Sequence, residues 1–135
     1  YVKELFEKKG HEVIDLGPFS KDRVDYPDYA EKVCTEVLNN EESKGILICG
    51  SGIGMSMAAN KFDGIRAALC HNEYSAKMAR EHNDANIICI GERVSGYGMV
   101  EAIVDSWDSS SFEGGRHEGR VQKINALSKV GSCRN

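Results

Sequence analysis

Two short runs constrain this chain most, because both are apolar almost throughout and both meet a glycine: Gly45–Cys49 (GILIC, then Gly50) and Ala85–Gly91 (ANIICIG). A strand with one wet face alternates apolar and polar residues, whereas a strand covered on both faces reads as a continuous apolar run. Strands of that kind belong to parallel sheets, whose neighbours are joined by crossover helices. The helical patterns fall where such crossovers are needed. Pro27 opens a helix to about Asn39, with Ala30, Val33, Cys34, Val37 and Leu38 spaced to share one face. Asn72–His82 reads as another helix, and Met99, Ile103, Val104 and Trp107 mark the inner face of a third. A small-residue helix through Met57, Ala58 and Ala59 follows the first run.

The remaining segments fit the same alternation. Tyr1–Lys9 is the tail of a helix stopped by Gly10, and His11–Leu16 (HEVIDL) alternates in part and predicts a short strand. Gly17–Tyr26 is a loop, Ile65–Cys70 a further strand, Ser109–Ser111 a loop and Gly119–Lys129 a final helix. Strands alternating with helices predict an α/β fold with a parallel sheet and right-handed crossovers. Ligands of such sheets bind beyond the C-terminal ends of the strands, which points to Gly50–Gly54, His71–Asn72 and Gly91–Arg93.

Composition narrows the function classes. With 135 residues, 41% hydrophobic and 28% charged, the chain suits one globular domain with a sizeable core. A net charge of −4 argues against a broad nucleic-acid footprint, so any anion site is local. No apolar run approaches the roughly 20 residues of a membrane span, and Glu4 and Glu7 interrupt any signal-peptide core. Five cysteines (Cys34, Cys49, Cys70, Cys89, Cys133) without a CxxC pair predict neither a disulfide framework nor a cysteine zinc site. A reduced, cytoplasmic protein is expected.

Three segments carry chemistry. In Cys49-Gly50-Ser51-Gly52-Ile53-Gly54-Met55-Ser56, alternate glycines let backbone N–H groups approach a ligand, and the helix that follows adds its positive end. The loop is not a P-loop, because Met55 and Ser56 stand where Gly and Lys belong. It is not a dinucleotide fingerprint, whose third glycine comes one residue later, nor a cysteine-phosphatase loop, which needs Arg where Met55 stands. What remains is a thiol beside a glycine nest, a setting that favours a reactive thiolate; the plainer alternative is a small core cysteine before a tight turn. The second segment, Arg80-Glu81-His82-Asn83-Asp84, holds a histidine between a helix and a strand, either functional or a simple cap. In the third, Phe112–Arg120 (FEGGRHEGR), Arg116 and Arg120 share a helical face if the last helix starts early. Together with His117 they can hold a phosphate, or they form a solvated basic turn; Arg93 can join them.

Taken together, GILICGSGIGMSMAANK, GIRAALCHNEYSAKMAREHNDANIICIG and FEGGRHEGRV, with HEVIDLG and DYPDYAEKV upstream, resemble the type B ribose-5-phosphate isomerases, a family that includes galactose-6-phosphate isomerase subunits. The likeness runs from about Val2 to Ile124. It implies a Rossmann-like three-layer sandwich, with residues 1–127 as one isomerase domain and 128–135 as a C-terminal tail. It further implies a homodimer or homotetramer with sites at subunit interfaces, and a sugar-phosphate substrate handled without metal or organic cofactor. By this resemblance Cys49 is the base that moves a proton between C2 and C1, and the backbone of Gly50, Ser51, Gly52, Ile53 and Gly54 stabilises the enediolate with help from the Ser51 hydroxyl. His82 opens the furanose ring, Asn83 binds sugar hydroxyls, and Arg93, Arg116 and Arg120, with His117 beside them, bind phosphate or sugar. Relatives open with a strand ending Ser-Asp-His-Ala-Gly, whereas Tyr1 stands in the helix expected to follow it, so the chain reads as a truncated form. The alternatives are a hexose 6-phosphate substrate, a catalytically inactive sugar-phosphate-binding module, and a redox-sensing cysteine protein.

Overall fold

The computed structural model describes residues 1–20 and 22–132. Three strands, β1 (Gly45–Cys49), β2 (Ala67–Leu69) and β3 (Ile87–Gly91), form a parallel sheet in the order β1-β3-β2. Six helices accompany them: α1 (Val2–Lys8), α2 (Tyr26–Asn39), α3 (Ile53–Ala59), α4 (Glu73–Glu81), α5 (Tyr97–Ser109) and α6 (Arg116–Ser132).

β3 explains the architecture. It is the central strand, and Ile87, Ile88, Cys89 and Ile90 are wholly buried. Because successive side chains point to opposite faces, Ile87 and Cys89 join a core with Ala30, Cys34 and Val37 of α2 and Met55 and Ala59 of α3. Ile88 and Ile90 enter the opposite core, with Phe6 of α1, Ala76 and Ala79 of α4, and Val100, Ile103, Val104 and Trp107 of α5. Helices therefore cover both faces of β3, giving the expected three-layer α/β sandwich. β1, at the sheet edge, is not covered on both faces as its apolar run predicts: Ile48 stays 41% exposed. The Trp107 indole donates to the Ala85 carbonyl at 3.3 Å, which satisfies its polar edge inside the core.

The predicted strand at His11–Leu16 does not form. Val13 packs against the α4–α5 core, but Ile14 is exposed, and the segment pairs with no strand edge among the described residues. Partial alternation identified extended backbone; a strand also needs a neighbour for its hydrogen bonds. β2 is shorter than predicted, three residues instead of six. The last helix starts at Arg116 rather than Gly119 and continues without a break through position 128. Among the described residues no helix is long and apolar enough to cross a membrane.

Candidate active site

The loop after β1 is built by close approach. Gly52 has φ +81°, and a Cβ there would lie 3.1 Å from the Ile90 carbonyl carbon. Gly91, paired with Cys49 across the sheet, lies flat against Ser51: a Cβ on it would lie 2.6 Å from the Ser51 carbonyl oxygen. The chain after β3 ties down the chain after β1, with Glu92 N–H donating to Cys49 O at 2.9 Å and Arg93 N–H to Gly50 O at 3.0 Å. The Arg93 side chain folds over Gly50, and the Tyr26 ring packs on Gly54 so closely that no Cβ fits.

Within this frame the half-buried Cys49 thiol receives a backbone donor, the Gly52 N–H, 3.2 Å from Sγ. Ile53 N–H donates to the Ser51 hydroxyl at 3.2 Å. The first helical bond of α3 runs from Ser56 N–H to Gly52 O. The amides of Gly54 and Met55 therefore have no intrahelical acceptor. A thiol with an amide on its sulfur and open N–H groups one turn away can accept a proton from carbon while neighbouring donors receive a developing oxyanion. The other described thiols stand apart. Burial pushes Cys34 up to about 11 and Cys89 up to about 12, and it raises Cys70 against a hydrogen bond from Ser75. His71 and Asn72 follow β2 at the same end of the sheet, but Asn72 is engaged in capping α4, accepting from Ser75 N–H at 2.8 Å.

A second group lies at the other end. α4 runs back from the C-terminal edge of the sheet and ends with His82 as its cap. Asp84, at φ +48°, turns the chain into β3; short polar residues tolerate that conformation. Arg80 clamps the turn, donating to Ala85 O and to the Asp84 carboxylate, both at 2.6 Å, while Arg66 Nε donates to Asp84 O at 3.0 Å. Glu113 N–H donates to Glu81 O at 3.0 Å, and Gly114 and Gly115, both with positive φ, turn the chain directly into α6. This turn stacks His117 on His82, ring centroids 4.1 Å apart. His117 is buried, and its pKa lies below the ordinary histidine value, first through desolvation and then through the charges of His82 and Arg116. Because α6 starts at Arg116, Arg116 and Arg120 fall one turn apart, and both are exposed, as is Asn83.

The structure thus gathers Cys49, Gly50–Gly54 and Arg93 into one half-site, and His82, Asn83, Arg116, His117 and Arg120 into another. It does not join the halves within one chain. Gly45, at the start of β1, donates to Asn86 O at 2.9 Å, whereas Cys49 is level with Gly91. The five residues of β3 separate the two levels, a rise of roughly 13 Å at about 3.3 Å per residue. Sequence reading passed over Met55, Tyr26 and Glu113. Met55 was legible as the third residue of a helix, but Tyr26 and Glu113 reach their places through tertiary contacts that no local spacing signals.

The fold is that of an α/β enzyme, and the two half-sites have the groups that proton transfer on a small anionic molecule would need. The description Ribose/Galactose Isomerase matches residues 1–124, and the chain belongs to that family. Ribose-5-phosphate isomerase B of Escherichia coli (strain K12) is 50% identical over 126 residues, 93% of this chain and 84% of its own length. A putative sugar phosphate isomerase, YwlF, of Bacillus subtilis (strain 168) is 51% identical over 124 residues, 91% of this chain and 83% of its own. The Clostridium thermocellum ribose-5-phosphate isomerase B structure superposes with a TM-score of 0.93 at 50% identity, covering 96% of this chain and 88% of that one. The Leishmania infantum type B enzyme gives 0.91 at 44% identity, covering 96% and 87%.

Proposed function

We propose that the protein interconverts D-ribose 5-phosphate and D-ribulose 5-phosphate through an enediolate, with Cys49 as the base. The names of its relatives support the substrate, and the seat of Cys49 carries the mechanism: a half-buried thiol at a strand end with the Gly52 amide on its sulfur. Residues 1–127 are read as one isomerase domain. We place the reaction in the cytoplasm, consistent with Cys34, Cys49, Cys70 and Cys89 all being free thiols.

In this reading His82 shuttles the proton that opens the furanose. The Cys49 thiolate then takes the C2 proton of the open aldose and returns it at C1, while the hydroxyl proton passes from O2 to O1. The amides of Gly54 and Met55 and the Ser51 hydroxyl stabilise the oxyanion between these steps. Asn83 holds sugar hydroxyls; Arg93, Arg116 and Arg120, with His117, hold the phosphate end. A positioned base contributes roughly 10²–10⁴-fold, and each oxyanion donor about 10²–10³-fold.

The separation of the half-sites adds a requirement. One chain cannot bring His82 to Cys49, so the working unit is a homodimer, or a homotetramer built from it, in which the Cys49 half of one copy meets the His82 half of its partner. The exposed Ile53 and Met57 on α3, beside the thiol, offer apolar surface for that contact.

The test is conversion of ribose 5-phosphate by the protein and by Cys49→Ala. The variant should lose about 10²–10⁴-fold in turnover while still binding the sugar phosphate. An undiminished rate would remove Cys49 as the base. Arg120→Ala should instead raise KM with little change in kcat, and an unchanged KM would take Arg120 out of the phosphate site.

A further inference from the structure

We propose that His82, Glu113 and His117 form a binding site for a divalent transition-metal ion of the zinc type, and that its occupation switches the isomerase off. The first half stands on geometry alone; the second rests on the ring-opening role given to His82 above.

The ligand atoms of these three residues lie within 4.8 Å of one another, and His82 Nε2 is 3.7 Å from Glu113 Oε1. Metal–nitrogen and metal–oxygen distances of about 2.0–2.2 Å in a tetrahedral site set ligand-to-ligand edges of roughly 3.3–3.5 Å. The cluster is therefore about 1 Å from a coordinating arrangement. Two histidines and a glutamate make a three-ligand set that leaves a fourth position for water.

The convergence is held by the backbone. The Glu113 amide is fixed to the Glu81 carbonyl, one residue before His82. Gly114 and Gly115 reverse the chain so that His117 comes back over the same spot. His117 is only 6% exposed, it meets His82 ring to ring, and among the described residues its imidazole makes no hydrogen bond. The ring is packed while its nitrogens are not enclosed, so they are open to a ligand arriving from solvent.

The stacked rings lie 14° from parallel, so one must turn for both nitrogens to point at a common ion. His82, partly exposed and on the cap of α4, is the one free to turn. Turning it commits its nitrogen lone pair to the metal. The same lone pair is needed to move the ring-opening proton, so metal binding and catalysis are mutually exclusive. Arg116 and Arg120 beside the cluster oppose a cation, and Glu113 is the carboxylate that offsets them.

Zn²⁺ titration against a chromophoric chelator, on the protein and on Glu113→Gln and Cys49→Ala, tests the site. Initial rates with Zn²⁺ and with excess chelator test the switch. One Zn²⁺ per chain is expected, retained in Cys49→Ala and weakened at least roughly tenfold in Glu113→Gln. The rate of Glu113→Gln in excess chelator serves as its own reference, and Zn²⁺ at a concentration that halves the wild-type rate should leave it unchanged. Wild-type activity should fall with Zn²⁺ and return with chelator. Binding lost in Cys49→Ala, or untouched in Glu113→Gln, would overturn the site. Binding as expected with no fall in rate would overturn the switch. A protein that binds Zn²⁺ at this cluster but never isomerises ribose 5-phosphate would defeat the functional reading and leave the site standing.

Discussion

At the residue scale, solvent contact sorts the thiols. Cys34, Cys70 and Cys89 are wholly buried, and burial lifts Cys34 to about 11 and Cys89 to about 12. A raised thiol pKa means the neutral form persists well above pH 8, and the neutral thiol is not the nucleophile. Cys49 is half-buried, with a backbone amide on its sulfur. Iodoacetamide at pH 8 should therefore alkylate Cys49 before Cys34, Cys70 and Cys89, with activity falling in step. Peptide mapping before and after denaturation checks this, and equal labelling of Cys89 in the native protein would contradict it. Cys49 was legible because its neighbours in sequence, an apolar strand and a glycine nest, are also its neighbours in space. Glu113 was not, because its place depends on a main-chain bond to Glu81, far from it in sequence. In the string FEGGRHEGR it reads as one more acidic residue in a turn.

At the scale of elements, the glycines divide into those that hold the loop and those that merely occur. Gly91→Ala would drive a methyl against the Ser51 backbone, which a rotamer change cannot relieve. The expected cost is about 1–3 kcal/mol of stability, with a larger loss of kcat because the thiol loop is displaced. Gly98→Ala is the counterpart. It lies inside α5 with nothing within 4 Å of a new Cβ, so it should stabilise by roughly 0.5–1 kcal/mol and leave the rate unchanged. Thermal unfolding and steady-state rates of the two variants check both. The same scale shows where pattern reading holds. ANIICIG was legible because its apolar residues are buried on both faces. GILIC was legible as a strand, but not as a doubly covered one, since Ile48 is exposed at the sheet edge. The α2 stripe was legible because Ala30, Cys34 and Val37 all enter one core. HEVIDL failed because pairing is a property of two segments, and one segment's alternation cannot supply the second.

For the whole molecule, the topology sets a condition that residue types do not reveal. α/β logic points to the C-terminal ends of the strands, and Cys49 and Arg93 lie there. His82 lies where α4 has already returned to the start of β1 and β3, at the opposite end. The family resemblance implied sites at subunit interfaces, but the order of the motifs along the chain carries no information about which copy supplies which residue. The consequence can be measured. In the proposed dimer, Cys49→Ala and His82→Ala should each be nearly inactive alone, because each spoils every site. When the two are unfolded together and refolded in equal amounts, random pairing makes about half the dimers mixed, and each mixed dimer has one site with both residues intact. The mixture should therefore recover about a quarter of wild-type activity, for dimers of equal stability. Recovery requires that the two residues of one site come from different chains. A mixture as inactive as its components, with exchange verified by mass, would mean that a single copy supplies both, and that the sheet must open or bend far more than its buried central strand allows.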